Sequence, residues 1–548
     1  MKRKKVIIIG AALAGPTAAS RAREMDENAE ITLLERNTRV SYSLAGLSFH
    51  LSKEVNSLDD LNQERESFFE NVYNIKVLTK TEVVGIDRKN KKLSIIHNSD
   101  KKILEYDSLI FATGAASIHP EGLPFISNFR YFRTLDDLAA IKASIDRDKK
   151  RFIVLGGGSM GLEAVDGLVR GGAEVCLLEK NPQILPNFGD EISMIAESKL
   201  KEKVNLILGF QNLEFQTEEN QLVAVVVDGK RIETDFLVSA IGVKPRTELL
   251  QASGIKINKD GTVPIDKYCR TSDKNIFACS ICVATPSPWG QAWIPQAAVA
   301  DKTAQVAGAN SVGQKFKLGL FQASMIVRLP TGEVGRVGHS EKEIINMIGK
   351  KNLGMSFLKT LNIEPYMPNS KPFYGVLYFN KKNNKILGME AYGSDIKSRL
   401  DAIAVAILKG SKLEELSQLD FSYSPAFGTA RDGLNSLATI AMFKQEGLTS
   451  WIHPRKIHVN PESYFIVNVG LDIEDDYPNH LHIPLEKLRA EWKILVSEWQ
   501  KSQKLHCILI SHSGRRGHLA VRILKSLGVS SKNVMGGYEL FSLFGSQK

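Results

Sequence analysis

The sequence predicts an α/β fold organised around two successive strand–glycine turn–helix–strand units, and three observations carry that prediction. The first unit opens the chain: Val6-Ile7-Ile8-Ile9 reads as a buried strand and Gly10, Ala12 and Gly15 take the three small-residue positions of a G-x-G-x-x-G turn. Ile31 to Leu34 then reads as a second strand that ends on Glu35. The second unit repeats this order in RFIVLGGGSMGLEAVDGLVRGGAEVCLLEK, with Gly156, Gly158 and Gly161 at the turn and Glu179 after the second strand. Each unit is followed by a short apolar strand, in DSLIFATGA and in DFLVSAIGV. Strands alternating with helices indicate parallel sheets.

Each element has a physical reason. The first small residue lets the chain turn, the second lets backbone approach a pyrophosphate, and the third lets helix pack on strand. Phosphates sit where the helix presents free N–H groups and the positive end of its dipole. The acid closing the second strand is placed to accept ribose hydroxyls. One fingerprint alone is weak, but two complete units in one chain imply two dinucleotides. The opening MKRKKVIIIGAALAGPTAAS also has the basic start, apolar run and small-residue end of a secretory signal peptide. Glu35 has no part in such a peptide, and the second unit favours a core strand that stays attached.

The 548 residues suggest three or four domains, and 43% hydrophobic with 24% charged residues is ordinary for a globular protein. No apolar run approaches the ~18 residues of a membrane span. The net charge of +10 is spread along the chain, with short clusters such as Lys350-Lys351. That distribution favours a solvated basic surface over a nucleic-acid site. Five cysteines, at 176, 269, 279, 282 and 507, are too few and uneven for a disulfide framework and suggest a reducing, cytoplasmic compartment.

Thr113-Gly114 in the first crossover, and AIGVKPRTELL with Gly242 in the second, bring in a resemblance. From about residue 4 to 445 the chain resembles the FAD-containing pyridine nucleotide-disulfide oxidoreductases. The resemblance implies FAD on Gly10, Ala12, Gly15, Glu35, Arg36, Thr113 and Gly114. It implies NADH or NADPH on Gly156, Gly158, Met160, Gly161, Glu163 and Glu179. Glu179 would repel a 2′-phosphate and so favours NADH, and Glu163 matches the position beside the nicotinamide. The implied organisation is an FAD domain at 1–115 and 242–320, an NAD(P)H domain at 116–241, and an α+β interface domain at 321–445 that forms a homodimer.

SDIKSRLDAIAVAILKG and FSYSPAFGTARDGLNSLA look like segments of the CoA-disulfide reductase, NADH oxidase and persulfide reductase branch. At the C-terminus FIVNVGL reads as a strand and HIPLEKLRAEW as a strand end and helix. CILISHSGRRGHLAVRILKSLG reads as strand, loop and helix, and NVMGGYELF as a closing turn. This order resembles a rhodanese domain, placed at 455–548.

The departures from the family are as informative. Ala45 stands where the redox cysteine belongs, and Ser511 where a rhodanese carries sulfur; neither side chain is a thiol nucleophile. Leu44, Phe427, Ala304 and Gln305 replace residues linked with CoA, which argues against CoA as a ligand, although Thr17, Arg21, Arg23 and Ser41 are retained. Ser280-Ile281 replaces a Gly-Asp pair whose aspartate, in the family, bonds the flavin's ribityl chain. Cys279 and Cys282 form a C-x-x-C at the expected start of a helix, read as buried inert thiols in preference to a redox pair. His480 and His482 lack further ligands, so no metal is assigned. The expectation is an FAD-dependent NAD(P)H oxidoreductase that passes electrons to a small acceptor without a disulfide step. The alternative is a binding or regulatory protein on the same scaffold.

Overall fold

The computed structural model describes residues 3–62, 64–147, 150–471 and 480–545. These fall into two compact units, 1–184 with 203–323, and 185–202 with 324–548.

The first unit holds two parallel five-stranded sheets. In one, Lys5–Ile9 lies between Glu30–Leu34 and Ser108–Phe111, with Lys76–Leu78 and Ile276–Ala278 at the edges. A central strand covered on both faces must be apolar throughout, which is why KVIII shows no alternation. In the other, Arg151–Leu155 lies between Glu174–Glu179 and Phe236–Ser239, flanked by Asn205–Leu208 and Phe129–Tyr131. The likeness extends beyond the fingerprints. Each sheet is accompanied in sequence by a three-stranded antiparallel sheet, Thr81–Asp87 to Asp100–Glu105 and Leu213–Glu218 to Lys230–Glu233. The crossover segments Ala115–Ser117 and Val243–Pro245 pair with each other, antiparallel.

In the second unit, five antiparallel strands between Met325 and Gly393 form one sheet. The helices Lys397–Lys409 and Gly433–Gln445 follow, and one buried ion pair ties their N-terminal ends together. Arg399 Nη2 lies 2.8 Å from Asp432 Oδ2, while Asp432 Oδ1 caps the second helix by accepting Leu434 N–H. The two sequence stretches that defined the narrower branch thus meet through their arginine and aspartate. The tail forms a parallel five-stranded sheet in which His506–Ile510 lies between Tyr464–Asn468 and Lys532–Val534.

Two local expectations are corrected. Cys279 does not open a long helix. Ser280–Cys282 is a single 3-10 turn, followed by a hairpin of Val283–Ser287 and Gly290–Ala292, and a long helix begins only at Ala297. Val283, Thr285, Pro286 and Pro288 disfavour helix, and Gly290, at φ +119°, closes the hairpin. NVMGGYELF is more than a turn. It runs from the end of the strand Lys532–Val534 into the helix Gly537–Gly545, joined at Gly536 and Gly537 with φ of +70° and +67°.

The glycine turns set a sharp steric contrast. A Cβ on Gly161 would lie 1.8 Å from Gly156 O, whereas one on Gly158 would meet nothing within 4 Å. Gly161→Ala is expected to destabilise the protein by about 1–3 kcal/mol or to abolish soluble expression. Gly158→Ala should stay within about 0.5 kcal/mol of wild type in thermal or urea unfolding.

Candidate functional site

Both fingerprint helices begin without a side-chain cap. Leu13 precedes Ala14–Met25 and Gly158 precedes Ser159–Arg170, and neither offers an acceptor. Elsewhere Thr134, Ser340 and Asp432 cap their helices. The two glycine turns therefore leave helix N–H groups open for a phosphate. The open space above Gly158 is a cradle that a side chain would fill.

The two acids are held in the same way. Glu35 Oε2 accepts Ala11 N–H at 2.9 Å, and its Oε1 accepts the backbone and side-chain N–H groups of Asn37. Glu179 Oε2 accepts Gly157 N–H at 2.6 Å, and its Oε1 accepts the backbone and side-chain N–H groups of Asn181. Both carboxylates are buried, so their orientation is preset for a ribose. Sequence reasoning missed Asn37 and Asn181. The signal was present, since the two units read LLERN and LLEKN. A cavity of roughly 650 Å³ beside Glu35 is lined by Arg36, Asn37, Lys80, Glu82, Ile96, Asn98 and Ser99.

Ala112 and Thr113 back directly on the first turn, with Gly114 next in sequence, since a Cβ on Gly10 would lie 2.6 Å from Ala112 O and 3.3 Å from Thr113 Cα. Gly242, at φ +124°, accepts Ile118 N–H at the second crossover. Ser280 has φ +77° and lies with Ile281 under 4 Å from where a Gly114 Cβ would be. A left-handed serine is strained where glycine is not, which accords with the glycine that the family resemblance implies here. Trp293 Nε1–H donates to Ile281 O at 2.8 Å and fixes the turn.

Glu163 is largely buried, makes no hydrogen bond among the described residues, and has its carboxyl pushed up to about 7 by burial and by Asp166. Met160 lies one residue before Gly161, its sulfur 4.0 Å from Arg133 Nη1. Ala45 is exposed in the 3-10 turn Leu44–Gly46. The following helix, Leu47–Leu51, packs on a small-residue face of Ser159–Arg170. A Cβ on Gly167 would lie 2.7 Å from Ser48 O, and one on Gly171 2.6 Å from Leu51 O. These glycines were also missed, although GLVRG carries the small-x-x-x-small spacing of close helix packing.

The C-x-x-C thiols are fully buried. Cys282 Sγ donates to Cys279 O at 3.1 Å, and burial pushes the Cys282 thiol up to about 12 and the Cys279 thiol well above its ordinary value. No helix end lowers them. Among the positions counted as retained for CoA, Arg23 is unavailable: its guanidinium is buried and donates to the carbonyls of Tyr73, Asn74, Asp26 and Glu27. In the tail Ser511 is 2% exposed and its Oγ accepts Gly517 N–H at 3.2 Å. Arg516 is held by both oxygens of Glu486. Among the described residues no cluster suits a metal ion, and no helix is long and apolar enough to cross a membrane.

Comparison with known proteins agrees with this geometry. Residues 4–304 match the model of the pyridine nucleotide-disulphide oxidoreductases, and residues 330–433 match the dimerisation domain of the same family. The chain is 30% identical over 460 residues to an NADH oxidase of Methanocaldococcus jannaschii, a match covering 80% of this chain and 99% of that protein. It is 27% identical over 452 residues to a CoA-dependent NAD(P)H sulfur oxidoreductase of Pyrococcus furiosus, covering 81% and 100%. A NAD-dependent persulfide reductase from A. fulgidus superposes with a TM-score of 0.90 at 27% identity, over 98% of this chain and 100% of the other. The reduced CoADR-RHD of Bacillus anthracis shares the fold over 100% and 99% of the two chains, with a TM-score of 0.91 at 24% identity. The chain is therefore an oxidoreductase and belongs to the pyridine nucleotide-disulphide oxidoreductase family of NAD(P)H-dependent flavoenzymes.

Proposed function

We propose that this chain is an FAD-dependent NADH oxidoreductase that delivers electrons to a small acceptor without a protein thiol. The observation that carries the reading is the pair of matching cradles, each with an uncapped helix and a preset acid, beside an alanine at the thiol position. FAD, when bound, supplies a ring that takes hydride from reduced nicotinamide and passes electrons on. The protein binds and orients. In this reading Gly10, Ala12, Gly15, Glu35, Arg36, Thr113 and Gly114 hold FAD, and Gly156, Gly158, Met160, Gly161 and Glu179 hold NADH. Glu179 disfavours a 2′-phosphate, while exposed Lys180 beside it leaves some tolerance for NADPH. Glu163 holds or releases a proton near neutral pH next to the nicotinamide position. Its ionised form would favour the positive charge that the nicotinamide gains.

The FAD domain is assigned to 1–115 and 242–320, the NAD(P)H domain to 116–241, the homodimer-forming domain to 321–445 and a rhodanese-like tail to 455–548. A cytoplasmic location accords with five unpaired, buried cysteines. CoA is not assigned, given Leu44, Phe427, Ala304, Gln305 and the buried Arg23. A second reading, a binding or regulatory protein without turnover, is favoured by Ile281 and by Ser511, whose hydroxyl is committed to Gly517.

Anaerobic NADH should abolish the visible absorbance of oxidised flavin in the purified protein. Gly158→Val should block that response but leave dithionite reduction intact, and oxidised flavin persisting under saturating NADH would refute the oxidoreductase reading. Ser280→Gly with Ile281→Asp should raise flavin occupancy by the worth of one hydrogen bond, about 1–3 kcal/mol, as read by flavin-to-protein absorbance ratios.

Glu163 gives a pH test. Because its folded value is raised, ionisation costs stability progressively as pH rises from the unfolded value through about 7. Glu163→Gln should match wild type near pH 4.5 and exceed it above pH 7 by up to about 3 kcal/mol in thermal unfolding. The wild-type tail should form no thiocyanate from thiosulfate and cyanide.

A further inference from the structure

Arg246 stands out as a cation built into the first cradle. Its N–H donates to Gly114 O at 3.0 Å and its carbonyl accepts Thr113 Oγ1–H at 2.8 Å. Thr113 backs on the Gly10 turn, and Ile281 lies beside Gly114. Arg246 and the residue that replaces the family aspartate therefore neighbour the same glycine.

The charge around this point is unbalanced. Arg246 is part-buried, and burial and Arg36 both work against its charge. Arg133 is opposed by burial and by Arg246, and the Tyr42 phenol lies close enough to both to be influenced by them. Among the described residues neither Arg133 nor Arg246 reaches a carboxylate at salt-bridge distance. Arg133 donates only weakly, to Ala115 O at 3.4 Å and Met160 Sδ at 4.0 Å. Two acids, Glu35 and Glu248, act in favour of the Arg246 charge without contacting it, and Glu35 has both oxygens taken by Ala11 and Asn37. Part-buried cations that repel one another with no carboxylate in contact are costly, and an anion between them would relieve that cost. The uncapped helix Ala14–Met25 adds its positive end to the same cradle.

We propose that Arg246, seconded by Arg133, supplies the side-chain charge that holds the pyrophosphate of the dinucleotide on Gly10–Gly15, compensating for the hydrogen bond that Ile281 is unable to accept. The inference rests on the FAD reading for the identity of that dinucleotide, but its chemistry is that of any pyrophosphate.

The test measures binding of FAD, ADP and adenosine to full-length protein freed of flavin, by calorimetry, in a Gly158→Val background that closes the second cradle. Arg246→Gln should weaken FAD and ADP binding at least tenfold, about 1.4 kcal/mol, and leave adenosine unchanged, with Arg246→Lys in between. Thermal unfolding of the ligand-free variants controls for folding. ADP and FAD affinities equal to the Arg246 parent, or an equal loss for adenosine, would overturn the proposal. Arg246-dependent ADP binding in a parent that takes up no FAD would support the pyrophosphate site and defeat the FAD reading.

Discussion

Everything in the first unit depends on one close approach, repeated twice: a helix laid so tightly on a strand turn that no side chain fits between them. A Cβ on Gly15 would sit 1.7 Å from Gly10 O, and one on Gly161 would sit 1.8 Å from Gly156 O. That approach points the helix N-terminus at the space above the turn. It also lets the acid at the end of the next strand reach back to a turn N–H, Ala11 in one unit and Gly157 in the other. The cradle, its dipole and its preset carboxylate are consequences of a missing side chain.

Such a constraint is local, which is why the two units and their strands are legible in the sequence. Glycine spacing, apolar runs and the terminal acid all fall within about thirty residues of chain. What escaped notice depends on contacts across the chain or on register within a motif. Asn37 and Asn181 were visible as a repeated pentapeptide but acquire meaning only when backbone and side-chain N–H groups of each converge on one carboxylate. Gly167 and Gly171 matter because Leu47–Leu51 packs against them. Arg23 was counted with the residues retained for CoA, yet the carbonyls of Tyr73 and Asn74 hold it inside. The hairpin after Cys282 follows from its prolines and β-branched residues, a rule overridden at the sequence level by likeness to relatives.

The proposed reading simplifies the chemistry more than the scaffold. In the proposed reading Ala45 offers no sulfur, while the helix after its turn, Leu47–Leu51, docks on Ser159–Arg170. Ser511 keeps the loop geometry by satisfying Gly517 N–H, as a structural hydroxyl does. The five thiols are buried, and burial favours their neutral form, so none is placed to act as a nucleophile. The proposed reading needs no sulfur centre, because hydride transfer from nicotinamide to flavin requires only two nucleotide sites.

The stoichiometry of anaerobic reduction tests this account most directly. A flavin-only centre consumes one NADH per FAD, and titration of the purified protein should end at one equivalent. An end point at two equivalents would reveal a second two-electron centre in the chain and would contradict the claim that electrons leave without a protein thiol.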